Sequence, residues 1–406
     1  MSDPTIFLSA GEASGEHYGA LLLTELQQHL KAQNRGAAQF FGMGGQRMAA
    51  AGLDCVVRSE DVAVMGITEV VRHLPRIYRE FQRLKQAIRA RRPSVAVLID
   101  FPDFHFKLAK EFHALGIPVI FFVSPQLWAW KKHRLKFVQK YIDKMLVIFP
   151  FEQQFYRDNG VHAEFVGHPL AELPLPTISR EDFAHANNLD PTKRWIGLLP
   201  GSRAREIRDN LAEILRAAQR LNEESGPLEF VIPLAPTLTA AQRSHAAHLV
   251  AAHAPELTVR FTDDARAALF HARASVVASG TATVEAALIG NPFVVVYRVS
   301  PLTYAIAKRV VTVRDVAMVN LIAGRRIVPE LIQSDFTAEN IVQHLETLLP
   351  DGPPRQSMME ELRRMRALLQ THTAQPGSTS GAIGRVADIT LETLGLTSPV
   401  ADSVPS

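Results

Sequence analysis

The chain has 406 residues, of which 47% are hydrophobic and 21% are charged, and its formal net charge at pH 7 is +3. This composition is typical of a folded globular protein and excludes collagen, a coiled coil or a disordered chain as a description of the whole. The single cysteine, Cys55, excludes an intrachain disulfide and a zinc site built from cysteine ligands, and the small net charge argues against a dedicated nucleic-acid-binding protein.

Short apolar runs alternate with helical patterns along most of the chain. In the first half, strands are predicted at residues 5–8, 39–41, 95–99, 118–123 and 144–148. After a Pro- and Leu-rich linker, the alternation restarts with strands predicted at residues 195–199, 229–233, 257–261, 274–278 and 292–297. Runs that are apolar throughout indicate strands buried on both faces of a sheet, and therefore parallel βαβ units. The sequence predicts an α/β protein with two Rossmann-like, doubly wound parallel-sheet domains that face each other across a cleft.

The linker at residues 171–176 divides the chain into parts of similar size. We predict an N-terminal domain at 1–172 and a C-terminal domain at 173–345. Helices follow at 346–396, and a loose tail at 397–406, where apolar residues become scarce. A ligand is expected between the two domains, at the carboxyl ends of both sheets.

The segment after the predicted strand 195–199 reads Pro-Gly-Ser-Arg and opens a helix. Gly201 allows the backbone to approach an anion, Ser202 and the helix N-terminal amides can donate to it, and Arg203 adds a planar fork suited to phosphate. This pattern favours a phosphate site. The alternative is a strand–turn–helix with a capping serine and a surface arginine.

A second loop of small and hydroxyl residues follows the predicted strand 274–278. It contains Ser279, Gly280 and Thr281, and Glu285 follows within the first turns of the next helix. A carboxylate at that position is suited to accept the two hydroxyls of a ribose. The alternative is a capped helix in which Glu285 completes a capping box. Two such loops in one domain favour a nucleotide diphosphate as the ligand.

The corresponding loop of the first domain begins at Gly11 and leads into a helix that contains Ser14, Gly15 and Glu16. It lacks the Gly-x-Gly-x-x-Gly spacing, so a nicotinamide dinucleotide is not predicted. These residues are expected to face the cleft and bind substrate. An ordinary helix start with an acidic first turn explains the same pattern.

Asp100 directly follows the apolar run 95–99. An acid at the carboxyl end of a central parallel strand is costly unless it is hydrogen-bonded or used in chemistry. We therefore interpret Asp100 as a general base, whereas Asp103 is better suited to cap the next helix. The indoles of Trp128 and Trp130 could form a wall against a sugar or an acyl chain, and core packing explains them equally well. A lone histidine such as His168 is more often structural than catalytic.

A basic, partly apolar stretch at residues 64–84 has helical spacing, which Pro75 should kink or interrupt. Its apolar members are Ile67, Val70, Val71, Leu74 and Ile77. Most stretches of this kind are amphipathic core helices with a solvated basic face. A second, more specific interpretation is contact with an anionic lipid surface. A nucleic-acid-binding patch is the third interpretation and has the least support.

Several motifs occur together and in order. They are Gly-Glu-Ala-Ser-Gly at 11–15, Ala-Val-Met-Gly-Ile at 63–67, Ile-Asp-Phe-Pro-Asp-Phe at 99–104, Val-Ser-Pro-Gln-Leu-Trp-Ala-Trp at 123–130, Leu-Pro-Gly-Ser-Arg at 199–203, Ala-Ser-Gly-Thr-Ala-Thr-Val-Glu at 278–285 and Asn-Leu-Ile-Ala-Gly at 320–324. From about Thr5 to about Leu394 the chain resembles the lipid-A-disaccharide synthase family, inverting glycosyltransferases with the B-type fold.

The resemblance implies that a UDP-activated 2,3-diacylglucosamine donates its sugar to the 6-hydroxyl of 2,3-diacylglucosamine 1-phosphate, which gives a β-1,6-linked lipid A disaccharide 1-phosphate and UDP. It also implies a peripheral location on the inner face of the bacterial cytoplasmic membrane. It therefore favours lipid contact over an amphipathic core helix as the interpretation of residues 64–84. The family's essential residues correspond to Asp100, Arg203 and Asn320. Two positions depart from the family pattern: Glu16 replaces the usual aspartate, and His105 replaces the usual asparagine.

No cofactor is predicted. No metal is predicted either, because no Asp-x-Asp pair follows a strand end. A homodimer is left open. Two alternatives remain: another UDP-GlcNAc enzyme of the same architecture, such as an epimerase or an N-acetylglucosaminyltransferase, and a non-catalytic basic protein that binds membrane or nucleic acid. The second leaves the two anion-binding loops unexplained.

Overall fold

The computed structural model describes residues 4–32, 38–62, 67–129, 132–299, 315–370 and 381–396. The chain forms two compact units, the first comprising Met1–Glu172 with Leu369–Ser406 and the second Leu173–Leu368. The first division falls within the Pro- and Leu-rich linker. The boundary between Leu368 and Leu369 differs from the prediction of a separate helical segment at 346–396. Residues 346–368 belong to the second unit and residues 369–396 to the first.

The first unit contains a seven-stranded sheet whose neighbouring strands are all parallel. Its strands are β1 (Thr5–Ala10), β2 (Gln39–Gly44), β3 (Asp54–Arg58), β4 (Val95–Ile99), β5 (Val119–Phe122), β6 (Lys144–Val147) and β7 (Ala163–Phe165). The strand order is β3-β2-β1-β4-β5-β6-β7. β4 and β5 are buried along their whole length, as expected for strands covered by helices on both faces.

Helices connect these strands and cover the sheet. They are α1 (Ala13–Ala32), α2 (Gln46–Ala50), α3 (Ile67–Arg91), α4 (Pro102–Ala114), α5 (Leu135–Tyr141) and α6 (Pro150–Asp158), with short 3₁₀ turns at Ser59–Asp61, Lys132–Arg134 and Pro169–Glu172. α3 continues through Pro75 as one helix, although the sequence predicts a kink or a break there. Phe7, Phe41 and Phe112 pack ring against ring in the core.

The second unit repeats this design with six parallel strands. They are β8 (Arg194–Leu199), β9 (Leu228–Pro233), β10 (Val259–Thr262), β11 (Ala274–Ala278), β12 (Phe293–Tyr297) and β13 (Glu330–Ile332), in the order β10-β9-β8-β11-β12-β13. Its helices are α7 (Arg180–Asn187), α8 (Ala204–Ser225), α9 (Ala240–His253), α10 (Ala265–His271), α11 (Thr281–Ile289), α12 (Met318–Ala323), α13 (Ala338–Leu348) and α14 (Pro353–Leu369), with a 3₁₀ turn at Gln333–Asp335.

The last described helix, α15 (Ala382–Thr393), belongs to the first unit. It packs against α1, and Arg385 on α15 forms an ion pair with Glu164 at 2.6 Å. The carboxylate of Glu172 accepts the backbone N–H of Ala382 at the start of the helix. These contacts close the first unit with a segment from the far end of the chain.

In both sheets the strand order reverses between two neighbouring strands, β1 and β4 in the first unit and β8 and β11 in the second. Ligands of doubly wound sheets bind outside the carboxyl ends of the strands at such a point. The fold therefore marks the loops after these four strands as candidate sites.

Candidate active site

Asp100 and the predicted substrate-binding loops lie at the two switch points. In the first unit, Asp100 directly follows β4 and the loop that begins at Gly11 follows β1. In the second unit, residues 200–203 follow β8 and residues 279–280 follow β11. Each predicted loop thus lies at the carboxyl edge of its own sheet, where this architecture binds its ligands.

The backbone around Asp100 adopts a conformation that L-residues avoid. Asp100 has φ of 52° and Phe101 has φ of 51°, and Val123, directly after the neighbouring strand β5, has φ of 65°. Left-handed conformations cost of order 1–3 kcal/mol each and cluster at functional sites. For the β-branched Val123 the conformation is especially unfavourable. Three strained residues at the ends of two adjacent strands support a functional role for this edge.

The carboxyl group of Asp100 is only partly exposed to solvent. Burial raises its pKa to about 6, the negative charge of Glu12 adds to this rise, and the backbone N–H of Phe101 opposes it. A carboxyl group with a pKa near 6 is ionised at neutral pH and is more basic than an ordinary aspartate. These are the properties of a general base.

The peptide groups of Asp100 are held from two sides. Its N–H donates to the carbonyl oxygen of Phe122 at 2.8 Å. Its carbonyl oxygen lies 2.6 Å from Nδ1 of His105 on α4, and Nε2 of this histidine lies 2.7 Å from the hydroxyl of Ser9 on β1. Both His105 and Ser9 are fully buried. Burial lowers the pKa of His105 to about 4, so its ring is neutral at physiological pH.

The loop after β1 is shaped by close contacts. A Cβ atom at Gly11 would lie only 2.3 Å from the ring of Phe101, so only glycine fits at that position. Ser14 is exposed and Gly15 is buried in the first turn of α1. Glu16 accepts the backbone N–H of Arg47, in the first turn of the short helix α2, at 2.8 Å. The carboxylate that the sequence predicts to bind substrate is engaged within the protein.

The anion-binding loop of the second unit already holds a carboxylate from its own helix. Oε2 of Glu206 accepts the backbone N–H groups of Ser202 and Arg203 at 2.9 and 3.2 Å, and Oε1 accepts from the guanidinium of Arg203 at 3.1 Å. Gly201 has φ of 125°, and a Cβ atom there would collide with Glu206. The loop therefore presents converging donors, and an anionic group occupies them.

The loop after β11 opens α11 without a side-chain cap. Gly280 has φ of 152°, the backbone N–H of Ser279 donates to Val296, and Thr281 is exposed. Burial raises the pKa of Glu285, and the charge of Arg266 opposes this rise. No residue in the described ranges donates a hydrogen bond to the Glu285 carboxylate, which differs from the capping box that the sequence offered as an alternative.

Asn320 is 0% exposed, and its amide makes four hydrogen bonds inside the second unit. Its Nδ2 donates to the carbonyl of Val328 and to the carboxylate of Glu330, and its Oδ1 accepts the N–H groups of Ile327 and Val328, all at 2.7–3.0 Å. An amide group can make no more than about four such bonds. Asn320, which the family resemblance marks as an essential residue, is thus bonded to protein at every position of its amide.

The five side chains predicted to contact lipid lie on α3. Those of Ile67, Val70 and Val71 fall outside the described residues. Leu74 is 51% exposed, whereas Ile77 is partly buried and packs against the core of the first unit. Tyr78, one helical turn after Leu74, is 66% exposed. No helix in the described ranges is long and apolar enough to cross a membrane.

Trp128, in the loop that follows β5, makes a buried contact with Glu152 on α6. Trp128 is buried and donates from its indole nitrogen to Glu152 at 3.2 Å. Burial raises the pKa of the Glu152 carboxyl to about 8. Trp128 is therefore a core residue, while Trp130 lies outside the described residues. His168 is buried, and its Nδ1 accepts the N–H of Leu170, which is a structural role.

Sequence reasoning missed two features of the site, the carboxylate of Glu206 on the anion-binding loop and the hydrogen-bonded pair of Ser9 and His105. A signal for the pair exists, because Ser9 is the one polar residue in the otherwise apolar run Ile6–Ala10. An acid three residues after Arg203 is also the pattern of a capping box. Which groups these side chains contact is set by tertiary structure.

Comparison with solved structures shows the fold to which the chain belongs. The chain is similar to the calicheamicin glycosyltransferase CalG4 (TM-score 0.58, 18% identity, 98% of this chain and 100% of that chain). It is also similar to the UDP-GlcNAc 2-epimerase from Neisseria meningitidis bound to UDP-GlcNAc (TM-score 0.60, 12% identity, 97% and 99%). At these identities the likeness concerns the fold, which is the B-type glycosyltransferase fold that such epimerases share.

Sequence comparison then identifies the family. Residues 6–379 match the family described as lipid-A-disaccharide synthetase. The lipid-A-disaccharide synthase of Acidobacterium capsulatum is 60% identical over 404 residues, 97% of either chain. The chain belongs to the lipid-A-disaccharide synthetase family. The predictions of a glycosyltransferase that forms the lipid A disaccharide, and of a double Rossmann-like fold, are confirmed.

Proposed function

We propose that Asp100 is the general base of the inverting sugar transfer and that the loops after β8 and β11 bind the UDP portion of the donor. The donor is UDP-2,3-diacylglucosamine, and the acceptor is 2,3-diacylglucosamine 1-phosphate. The observation that carries the proposal is the carboxyl group of Asp100, at the switch point of the first sheet, with a strained backbone and a pKa raised to about 6.

The transfer is a single displacement at C1 of the donor sugar. The 6-hydroxyl oxygen of the acceptor forms a bond to C1 as the bond from C1 to the β-phosphate oxygen breaks, and the electron pair of that bond leaves with UDP. The hydroxyl proton passes to the carboxylate of Asp100. Because a carboxylate is a weak base for a free alcohol, proton transfer accompanies bond formation and does not precede it.

Charge develops on the departing diphosphate, and donors in fixed positions stabilise it. We assign this role to Arg203 and to the backbone N–H groups of Gly201 and Ser202, where the carboxylate of Glu206 supports the proposal by accepting the same kind of bond. Donors of this type can each be worth about 3 kcal/mol in the transition state. Phosphate must displace Glu206 to reach the donors of Ser202 and Arg203.

Glu285 is proposed to accept the ribose hydroxyls of the donor, and Ser279, Gly280 and Thr281 to lie beside its phosphates. The support is the partly buried carboxylate of Glu285, which has no hydrogen-bond donor among the described residues. Two hydroxyl donors would satisfy it. Asn320 is proposed to act indirectly, by holding residues 327–330 in place.

The acceptor is proposed to bind at the carboxyl edge of the first sheet, where Ser14 and Gly15 begin α1. Glu16 would contribute by fixing α2 beside them. We also propose that α3 contacts the anionic surface of the inner membrane, since both substrates carry acyl chains. The exposed Leu74 and Tyr78 and the exposed arginines of the same helix support this contact.

The test compares Asp100→Asn with Asp103→Asn. Asp103 lies three residues away and is largely exposed in an ion pair with Arg134, so it serves as the matched control. Asp100→Asn should lower turnover by roughly 10²- to 10⁴-fold with the Kd for UDP unchanged, and Asp103→Asn should retain turnover. If Asp100→Asn weakened UDP binding as much as turnover, Asp100 would be a donor-binding residue and the proposal would fail.

A further inference from the structure

We infer that His105 is a positioning residue for the reaction: with Ser9, it holds the carbonyl group of Asp100 and so fixes the strained turn that carries the catalytic carboxylate. This inference rests on the proposed role of Asp100. It concerns a side chain that is fully buried and does not contact substrate.

Hydrogen-bond chemistry assigns one protonation state to the ring. The carbonyl oxygen of Asp100 can only accept, so the nitrogen 2.6 Å away, Nδ1, carries the hydrogen. The ring is neutral, and Nε2 therefore has a free electron pair, which accepts the hydroxyl hydrogen of Ser9 at 2.7 Å. The bond from Ser9 thus supports the tautomer that donates to Asp100.

The geometry ties together the three elements that meet at the switch point. Ser9 lies on β1 and is paired in register with Leu98 on β4, Asp100 directly follows β4, and His105 lies on the first turn of α4. The aromatic rings of Phe101, Phe104 and Phe121 surround the imidazole, with centroids 5.8–6.2 Å away. The ring has little freedom to leave the carbonyl that it holds.

The hydrogen bond from His105 to Asp100 stabilises an unfavourable backbone conformation. Asp100 and Phe101 both adopt left-handed conformations, which persist only where the surroundings enforce them. The N–H of Asp100 is held by Phe122 on β5, and His105 holds its carbonyl group. Loss of the second bond would leave a carbonyl group unsatisfied and would let the turn relax toward an ordinary conformation. The carboxylate would then move from the position in which it accepts the proton.

Two substitutions separate this role from mere packing. In His105→Asn the amide nitrogen takes the place of Nδ1 and can still donate to Asp100, whereas the bond to Ser9 is lost. In His105→Gln the longer amide reaches the place of Nε2, so the bond to Ser9 is kept and the bond to Asp100 is lost. His168→Asn, at another buried histidine of the first unit, controls for the loss of a buried ring.

We expect His105→Gln to lower kcat by about tenfold to 100-fold with KM for both substrates nearly unchanged, while His105→Asn stays within about threefold of the parent. Among the described residues, Glu12 is the charged group that acts on Asp100, and His105 is neutral. A relaxed turn exposes the carboxyl to water, so the acid limb of kcat should move to lower pH in His105→Gln only. His168→Asn should leave the limb in place.

Equal kcat and an equal acid limb in the two His105 variants would overturn the inference. If His105→Gln does not fold, Ser9→Ala decides, because it removes the hydrogen bond that anchors Nε2 and so weakens the bond from Nδ1 to Asp100. The inference then requires a lower kcat in Ser9→Ala and no further effect of Ser9→Ala in the His105→Asn background; parent-like kcat in Ser9→Ala would refute it. Full activity in Asp100→Asn would instead refute the proposed function, and the positioning role with it.

Discussion

The carboxylate of Glu206 lies 2.9 Å from the backbone nitrogen of Ser202. It also accepts from the backbone and the guanidinium of Arg203. The loop proposed to bind the diphosphate is thus occupied by the carboxylate of Glu206, which lies on α8 directly after the loop. This carboxylate must be displaced before phosphate can bind.

Glu206→Gln should therefore bind UDP more tightly. An amide is a weaker acceptor than a carboxylate and does not repel phosphate, and glutamine still serves at this position of a capping box. We expect the Kd for UDP to fall by about three- to tenfold, measured by calorimetry. Asp209→Asn is the control, since the side chains of Asp209 and Glu206 are both 30% exposed near the start of α8. Weaker UDP binding in Glu206→Gln would mean that the carboxylate is needed to shape the loop.

Arg203→Ala should weaken UDP binding by about 10- to 100-fold, the range expected for a charge-assisted hydrogen bond to phosphate. Arg205→Ala offers a close comparison, because the two arginine side chains are each 62% exposed and each pairs with an acid on α8. The Kd of that variant should change by less than about twofold. Similar losses in both variants would indicate a general charge effect and not a site at Arg203.

Contact between α3 and lipid predicts that Leu74→Ser with Tyr78→Ser releases the protein from anionic vesicles. Two exposed apolar side chains are enough to lower the partition coefficient by about tenfold or more, and the variant should unfold at the same temperature as the parent. Leu21→Ser, at an exposed position on α1, should not change vesicle binding in a sedimentation assay.

Ile77→Ser should behave differently, because Ile77 packs against the core of the first unit. It should lower the free energy of unfolding by about 1–3 kcal/mol.

Undiminished vesicle binding by the Leu74 and Tyr78 double variant would show that the exposed face of α3 is not the lipid contact.

The buried Glu152 predicts a pH dependence of stability. Burial raises the pKa of its carboxyl from 4.5 to about 8, so between these values the native state retains a proton that the unfolded chain has released. Stability is therefore lost as the pH rises through this window. From pH 6 to pH 9 the loss attributable to Glu152 should be about 2–3 kcal/mol, followed by chemical denaturation.

Glu152→Gln should remove that part of the pH slope, whatever its stability at pH 6. Glu181→Gln, a substitution at an exposed residue of α7, should keep the slope of the parent. Identical slopes in the parent and in Glu152→Gln would show that the carboxyl is ionised in the native state.

Most of the sheet framework could be predicted because its central strands consist almost entirely of apolar residues. β3, β7 and β13 were not predicted, since β7 and β13 have only three residues each and β3 is a partly exposed edge strand. Such short or mixed segments carry no clear period of hydrophobicity. The return of α15 to the first unit is a long-range contact that no local pattern encodes.

The site was predictable where one polar residue ends an apolar strand, as at Asp100, or where glycine and arginine open a helix, as at Gly201 and Arg203. The bonding partners were not. Ser9 and His105 are 96 residues apart, and the engagement of Glu16 and Asn320 within the protein depends on which segments fold next to them. Sequence identifies which residue types could react, whereas tertiary packing decides which of them remain free to do so.

The most direct test of the role of Asp100 is the pH dependence of kcat/KM for the acceptor at saturating donor, between pH 5 and pH 9. Only the ionised carboxylate can accept the proton, and its pKa is raised to about 6. We predict that the rate is constant above about pH 7 and falls about tenfold per pH unit below 6. A rate that stays constant from pH 8 down to pH 5 would contradict the assignment of Asp100 as the base.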